Sequence, residues 1–318
     1  MDDDSDPATL AEVGEFALID RLVAGRRQGP GVALGPGDDA AVLGAPDGRV
    51  VVTTDMLVEG RHFRLDWATP HDVGRKAIAQ NAADIEAMGA SVTGFVVAVG
   101  APPDSLASRM EALADGMWQE AGRVGAGIVG GDLVASPQWV VSVAALGDLG
   151  GRSPVTRRGA TVGSVVAVCG ELGASAAGYA LLRHGTEGFA ALRRRHLVPE
   201  PPYGQGRVAA VAGAGAMTDV SDGLVADLGH IAKASAVGID LASSVLAADR
   251  DALTDAAAAV VADPWSWVLG GGEDHALVAS FPGAVPDGWR VIGVVVDGPA
   301  RVLLDGDEVS RYRGWQSF

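Results

Sequence analysis

The chain has 318 residues, 48% of them hydrophobic, with 45 glycines and a formal net charge of -16. That length holds one large domain or two ordinary ones around a buried core, and the apolar content excludes a disordered chain. The acidity repels nucleic-acid phosphates and anionic lipid, which argues against both as partners.

The single cysteine, Cys169, allows no intramolecular disulfide and fits a reducing compartment. It ends the apolar run from Val165 and reads as a buried, inert thiol. The first residues, Met1-Asp2-Asp3-Asp4, are acidic where a signal peptide is basic and then apolar, and no apolar run approaches a membrane span. The expectation is a soluble, cytoplasmic protein with no membrane contact.

Residues 1–9 read as a solvated tail. Apolar residues then recur at helical spacing from Ala11 to Val23, until Gly29-Pro30-Gly31 interrupts them. Val32 to Leu34 and Ala40 to Leu43 flank the turn Gly35-Pro36-Gly37-Asp38-Asp39. Val50 to Thr54 is a β-branched run that predicts a strand ending at Asp55. A helix is expected from Pro70 to Met88, stopped by Gly89, then a strand from Val92 to Val99 and a helix from Leu106 to Arg123. Gly127 to Val129 predicts a short strand ending at Gly130-Gly131-Asp132, with another from Trp139 to Leu146. The Gly- and Arg-rich stretch 147–163 predicts a boundary, dividing the chain into domains at 10–148 and 149–318. Beyond it come a buried strand from Val165 to Cys169, helices near 174–184, 187–196 and 204–213, a strand from Ala216 to Val220 and a helix from Leu224 to Ala236. Strands at 276–281, 291–296 and 301–304 close the chain. The mixture predicts an α/β (α+β) protein of two domains, with mixed sheets covered by helices.

Aspartates recur beside glycines or at predicted strand ends: Asp38-Asp39, Asp55, Asp132, and Asp219 with Asp222 in Thr-Asp-Val-Ser-Asp-Gly. Asp84 joins them from a helix of small residues. One Gly-Asp pair alone is more often a turn former, but several together point to a site. Carboxylates crowded together need their charge offset, and the chain has only two lysines, Lys76 and Lys233. Divalent cations are the simplest answer. Oxygen-only ligands select a hard ion, magnesium, with manganese or calcium as the alternatives; zinc is disfavoured by scattered histidines and the lone cysteine. Magnesium so held takes remaining ligands from phosphates, which points to a nucleotide, yet neither a Walker-type loop nor a protein-kinase signature is present.

Several segments carry a resemblance. They are Gly14-Glu15-Phe16-Ala17-Leu18-Ile19, Gly37-Asp38-Asp39-Ala40-Ala41-Val42, Thr53-Thr54-Asp55-Met56-Leu57-Val58-Glu59-Gly60, His62-Phe63, and Asn81 to Ala90 with Lys76-Ala77. Gly130-Gly131-Asp132, Thr156-Arg157-Arg158-Gly159-Ala160, Asp219 to Leu224 and Gly271-Gly272-Glu273-Asp274 follow. In this order the chain resembles the thiamine-monophosphate kinases, within the superfamily of aminoimidazole-ribotide synthetase. The resemblance implies that superfamily's two-domain architecture, a homodimer formed through the N-terminal domain, and ATP near a domain and subunit junction. It implies several magnesium ions at Asp39, Thr53, Thr54, Asp55, Asp84, Asp132, Asp219 and Asp222. Gly131, Asp132, Arg157 and Ser221 would contact ATP, while His62, Glu273 and Trp315 would contact thiamine monophosphate. Asp55, Asp132 and Arg157 would serve catalysis. Where the family often has Tyr-Glu, this chain has His275-Ala276.

Residue by residue, blander roles compete: His62 as an exposed loop histidine, Trp315 as tail packing, and His230 and Lys233 as a solvent-facing pair on a helix. The expected reaction is ATP-dependent phosphorylation of thiamine monophosphate to the diphosphate by direct in-line transfer. The alternatives are another ATP-using enzyme of the superfamily, resembling aminoimidazole-ribotide or selenophosphate synthetase, or a non-catalytic regulator that binds magnesium and nucleotide.

Overall fold

The computed structural model describes residues 8–36, 40–309, 311, 312 and 314. The chain divides into two compact units: residues 1–85 with 92–150, and 86–91 with 151–318.

In unit 1 the helix expected over 11–23 is two, α1 (Leu10–Val13) and α2 (Glu15–Val23). Thr9 and Glu12 form a reciprocal capping box at the start of α1, and Gly14, at φ 78°, separates the two helices. β1 (Val32–Leu34) and β2 (Val42–Leu43) pair antiparallel. The main sheet comprises β3 (Val51–Val58), β4 (Ser91–Ala101), β5 (Ile128–Ala135) and β6 (Val140–Asp148), in the order β3-β6-β4-β5. It is mixed: β3 runs antiparallel to β6 and β4 parallel to β5.

α3 (Pro70–Ala87) and α4 (Ala107–Arg123) also belong to this part of the fold. Thr69 and Asp72 exchange side-chain-to-amide bonds of 3.2 Å across the start of α3. The two helices touch backbone to backbone: a Cβ on Gly74 would lie 2.0 Å from the Leu113 carbonyl oxygen, and one on Gly116 2.0 Å from that of His71. Ile78, Ile85, Phe95, Leu113 and Val141 are buried, whereas Val52, Met56 and Val134 are exposed on the sheet. One sheet face therefore packs against the core and the other is open.

Two strands run on past their expected ends. β3 does not stop at Asp55, because its ladder with β6 continues to Val58 opposite Val140. Gly130-Gly131-Asp132 lies inside β5, because pairing with β4 persists to Ala135 opposite Ala101.

Unit 2 contains α5 (Ala174–Arg183), α6 (Ala190–Leu197), α7 (Gln205–Val211) and α8 (Leu224–Ser235). α9 (Ser243–Ala252), α10 (Thr254–Val260) and α11 (Pro264–Gly270) follow. Its strands are β7 (Val165–Cys169), β8 (Ala216–Asp219), β9 (Gly238–Leu241), β10 (Leu277–Phe281), β11 (Arg290–Val296), β12 (Arg301–Leu304) and β13 (Asp307–Glu308). They form a mixed sheet in the order β13-β12-β9-β11-β7-β10-β8, parallel only between β12 and β9.

Alternation along β7 divides two cores. Val166 and Val168 pack with Leu181, Leu224, Leu228 and Trp267, while Ala167 and Cys169 pack with Ala209, Phe281 and Trp289. Cys169 is buried, and burial raises its thiol pKa, as expected of an inert cysteine. The segment 86–91 is tied into this unit by Glu86, whose carboxylate accepts from the amides of Gly204 (2.8 Å) and Gly206 (2.9 Å). Among the described residues no helix is long and apolar enough to cross a membrane.

Candidate active site

In unit 1, Asn81 and Asp84 stand one turn apart on α3 and address β3. The Thr53 hydroxyl donates to Asp84 Oδ2 at 2.7 Å. The Asp55 amide donates to Asn81 Oδ1 at 3.0 Å, and Asn81 Nδ2 donates to the Ala77 carbonyl. Thr53 and Asp55, two residues apart, share the helix-covered face of an edge strand. Thr54, on the other face, donates to the Val143 carbonyl at 2.9 Å. Thr53, Asp55 and Asp84 thus gather as an oxygen-only group.

Asp132 does not join that group. It is exposed on β5, opposite Ala98 of β4, on the open face of the sheet. β3 and β5 are opposite edges, three strand spacings or about 14 Å apart. Two ligands of one magnesium lie within about 4 Å of each other, so within one chain Asp55 and Asp132 cannot share an ion. Gly131 answers to packing first: a Cβ there would lie 2.2 Å from the Val97 carbonyl oxygen.

His62 is half-buried rather than an exposed loop residue. Its Nδ1 accepts from the Val58 amide at 3.0 Å, which places the hydrogen of the neutral ring on Nε2. Lys76 Nζ donates to the His62 carbonyl at 3.1 Å, so this segment is tied to α3.

In unit 2 the second group forms at the end of β8. Asp219 is buried and lies 3.0 Å from Nδ1 of buried His275. Ser221 and Asp222 follow in the turn before α8. Both the Asp222 and Gly223 amides donate to Asp227 Oδ2 at 3.0 Å. Asp222, Asp227 and His230 each offer a ligand atom, all within 4.8 Å of one another. Burial, then the nearby charge of Asp219, pushes the Asp227 carboxyl up to about 7. Burial also raises Asp222, against the pull of His230. Arg157 Nε donates to Thr218 Oγ1 at 3.4 Å, one residue from Asp219. The donor set is dominated by carboxylate and hydroxyl oxygens, and the charges of Asp219 and Asp222 add to the burial that raises Asp227. A bound hard cation offsets that repulsion, so these residues fit magnesium.

The Gly-Gly-Glu-Asp segment is stitched to this turn. The Glu273 amide donates to the Ser221 carbonyl at 2.8 Å and the His275 amide to that of Val220 at 2.9 Å. Glu273 Oε2 lies 3.4 Å from His196 Nδ1, which is 3.1 Å from the Ser175 hydroxyl. Asp274 accepts from the amides of Gly173 (2.5 Å) and Ser175 (2.8 Å) at the start of α5. Beside it a cavity of about 200 Å³ is walled by Glu171, Arg195 and Glu200, with Arg195 paired to both glutamates.

Asp39 and Trp315 lie outside the described residues. Sequence reasoning missed Asp227, His196 and the inward role of Asp274. It placed His230 on the solvent side; the residue is exposed, yet its ring also reaches the Asp222–Asp227 carboxylates. The available signal was spacing, since Asp227 and His230 are three apart on α8.

Residues 37–149 match the family model for AIR synthase related protein, N-terminal domain. The chain is 70% identical to thiamine-monophosphate kinase of Mycobacterium tuberculosis over 310 residues, 98% of this chain and 93% of the relative. Among solved structures, thiamine-monophosphate kinase from Stenotrophomonas maltophilia K279a matches with TM-score 0.80 at 32% identity, covering 93% of this chain and 98% of that one. AaThiL complexed with AMPPCP and TMP matches with TM-score 0.78 at 31% identity, covering 99% and 100%. Near-complete coverage in both directions, on a chain bearing these two oxygen-rich groups, means that it belongs to the thiamine-monophosphate kinase family.

Proposed function

We propose that the chain transfers the γ-phosphoryl group of ATP to the phosphate of thiamine monophosphate, giving thiamine diphosphate, with magnesium. The observation that carries this reading is the end-to-end match to AaThiL, a protein solved with AMPPCP and TMP. Thr53, Thr54, Asp55, Asp84 and Asp132, with Asp219 and Asp222, are the ligands we assign to the cations, together with Asp39. Gly131, Arg157 and Ser221 are assigned to ATP, and His62, Glu273 and Trp315 to thiamine monophosphate.

The nucleophile is a phosphate oxygen. A phosphate monoester has its second pKa near about 6, so it is already largely ionised at neutral pH and needs no general base. The barrier is electrostatic, since two unit charges about 4 Å apart repel by about 4 kcal/mol at an effective dielectric of about 20. Magnesium, when bound, supplies charge neutralisation at the phosphates. The chain's part is to hold the donors ready: Thr53 fixes one oxygen of Asp84, Asn81 fixes the backbone at Asp55, and Asp227 fixes the amides at Asp222 and Gly223. The His62 ring, oriented by the Val58 amide, presents an Nε2 donor. Arg157 brings a guanidinium beside the Asp219 strand.

The reading includes a homodimer. Val52, Met56, Val96 and Val134 are exposed on the main sheet of unit 1, an apolar face of the kind that marks an interface. A second copy laid on this face would cover it and place Asp132 in the contact.

The deciding experiment follows ADP release and thiamine diphosphate formation by purified full-length protein given ATP, magnesium and thiamine monophosphate, with other acceptors in parallel. Asp132→Asn, at an exposed position, is expected to retain the wild-type melting temperature and lose most turnover. No thiamine diphosphate from the wild type, or an unimpaired Asp132→Asn, contradicts the proposal.

A further inference from the structure

We infer that His275 is a positioning residue for Asp219, its imidazole holding one carboxylate oxygen so that the other is aimed at a cation. The inference rests on the cation role proposed above for Asp219. Asp219 ends β8, and His275 lies two residues before β10, the strand paired with β8. The side chains are 4% and 7% exposed, with Nδ1 and Oδ2 3.0 Å apart. An ionised carboxylate only accepts, so Nδ1 carries the shared hydrogen.

The backbone at His275 is shaped for this contact. Its φ is +52°, a left-handed conformation uncommon for a residue other than glycine. That conformation is held by the His275 amide on the Val220 carbonyl and the Val220 amide on the Ala276 carbonyl, at 2.9 and 2.8 Å. Both bonds are made by Val220, the residue next to Asp219, so ring and carboxylate are fixed by one piece of backbone. A carboxylate without such a partner rotates about its last bond and must be ordered when an ion binds. One held by a buried imidazole has already lost that freedom. Hydrogen-bond partners of metal-ligating groups typically set cation affinity by about 10- to 100-fold.

The test compares full-length wild type, His275→Gly, His275→Asn and Asp219→Asn. Glycine and asparagine both accept a φ near that of His275. Asparagine can place an amide N–H close to the position of Nδ1, and glycine removes the donor. Mn2+ is titrated into each protein with AMPPCP and the free ion is followed by electron paramagnetic resonance. The magnesium dependence of the rate is measured alongside.

His275→Gly is expected to bind Mn2+ about 10- to 100-fold more weakly, with a matching rise in half-saturating magnesium that exceeds any change in KM for thiamine monophosphate. His275→Asn is expected to recover most of the affinity. Should the glycine variant not fold, His275→Gln, whose amide reaches one bond too far, is compared with asparagine instead. Unchanged Mn2+ binding in His275→Gly beside weakened binding in Asp219→Asn overturns the positioning role alone. So does an asparagine variant as weak as glycine. Wild-type binding in Asp219→Asn overturns the cation role of Asp219, and the role of His275 with it.

Discussion

Asp274 gives a pH dependence that can be worked through. Its carboxyl is pushed up to about 7 chiefly by burial, against the two amides of Ser175 and Gly173 that favour the charged form. Raised from 3.8, this acid favours folding most when protonated. Its contribution is complete below about pH 4 and is lost as pH rises through about 7. Each pH unit between the unfolded and folded midpoints is worth about 1.4 kcal/mol, so the ionised group costs the fold about 4 kcal/mol above about pH 8. Near pH 5 the cost is under about 2 kcal/mol, leaving about 3 kcal/mol between pH 5 and pH 8.5.

Asp274→Asn is neutral throughout and retains one oxygen, which keeps an acceptor for one of the two amides of Gly173 and Ser175. Urea unfolding of wild type and variant at both pH values yields a double difference in which pH-independent effects cancel. The expected result is a variant that gains about 3 kcal/mol on the wild type between pH 5 and pH 8.5. Parallel stability profiles would refute the reasoning. They would show Asp274 ionised across the range, with the amides at the start of α5 outweighing burial.

Gly131→Ala separates packing from nucleotide contact. With a Cβ 2.2 Å from the Val97 carbonyl, β4 and β5 must part, so the melting temperature of the nucleotide-free protein should fall by the equivalent of about 1–3 kcal/mol. An unchanged melting temperature with a raised KM for ATP would leave Gly131 a nucleotide contact only. For the dimer, Met56→Asp and Val134→Asp are expected to shift the sedimentation coefficient from dimer to monomer, and a monomeric wild type would reject that interface.

Much of the fold was legible because its signals are local. The stretch Pro70 to Met88 shows helical spacing and a glycine stop, and the helix ends at Ala87. Residues 238–270 were not legible: β9 is four residues long, and α10 is Thr-Asp-Ala-Ala-Ala-Ala-Val, whose alanines mark no face. In unit 1 the acidic motifs were found but misplaced. Asp55 and Asp132 were expected at strand ends, yet both strands continue past them, since cross-strand pairing outweighs the turn preference of aspartate. That they fall on opposite sheet edges depends on the order β3-β6-β4-β5, which no local pattern encodes. Asp227 was passed over because its task, accepting the Asp222 and Gly223 amides, exists only once the chain turns into α8.

The tripeptide Glu273-Asp274-His275 shows how a short segment can organise one side of unit 2. Glu273 and His275 have φ of 62° and 52°, while Asp274 between them does not share that left-handed conformation. The alternation sends three consecutive side chains to three destinations: Glu273 toward His196, Asp274 to the start of α5, and His275 to Asp219. A regular strand would offer only two directions, with Glu273 and His275 on the same face. Two left-handed residues that are not glycine persist only where their surroundings over-determine them. Here the Glu273 and His275 amides are both committed to the Val220-Ser221 backbone. A residue assigned to the substrate and a residue proposed to orient a cation ligand are thus separated by one peptide unit on either side of Asp274. Movement of that segment would disturb both together, so changes in thiamine monophosphate binding and in cation binding should be correlated among variants of this tripeptide.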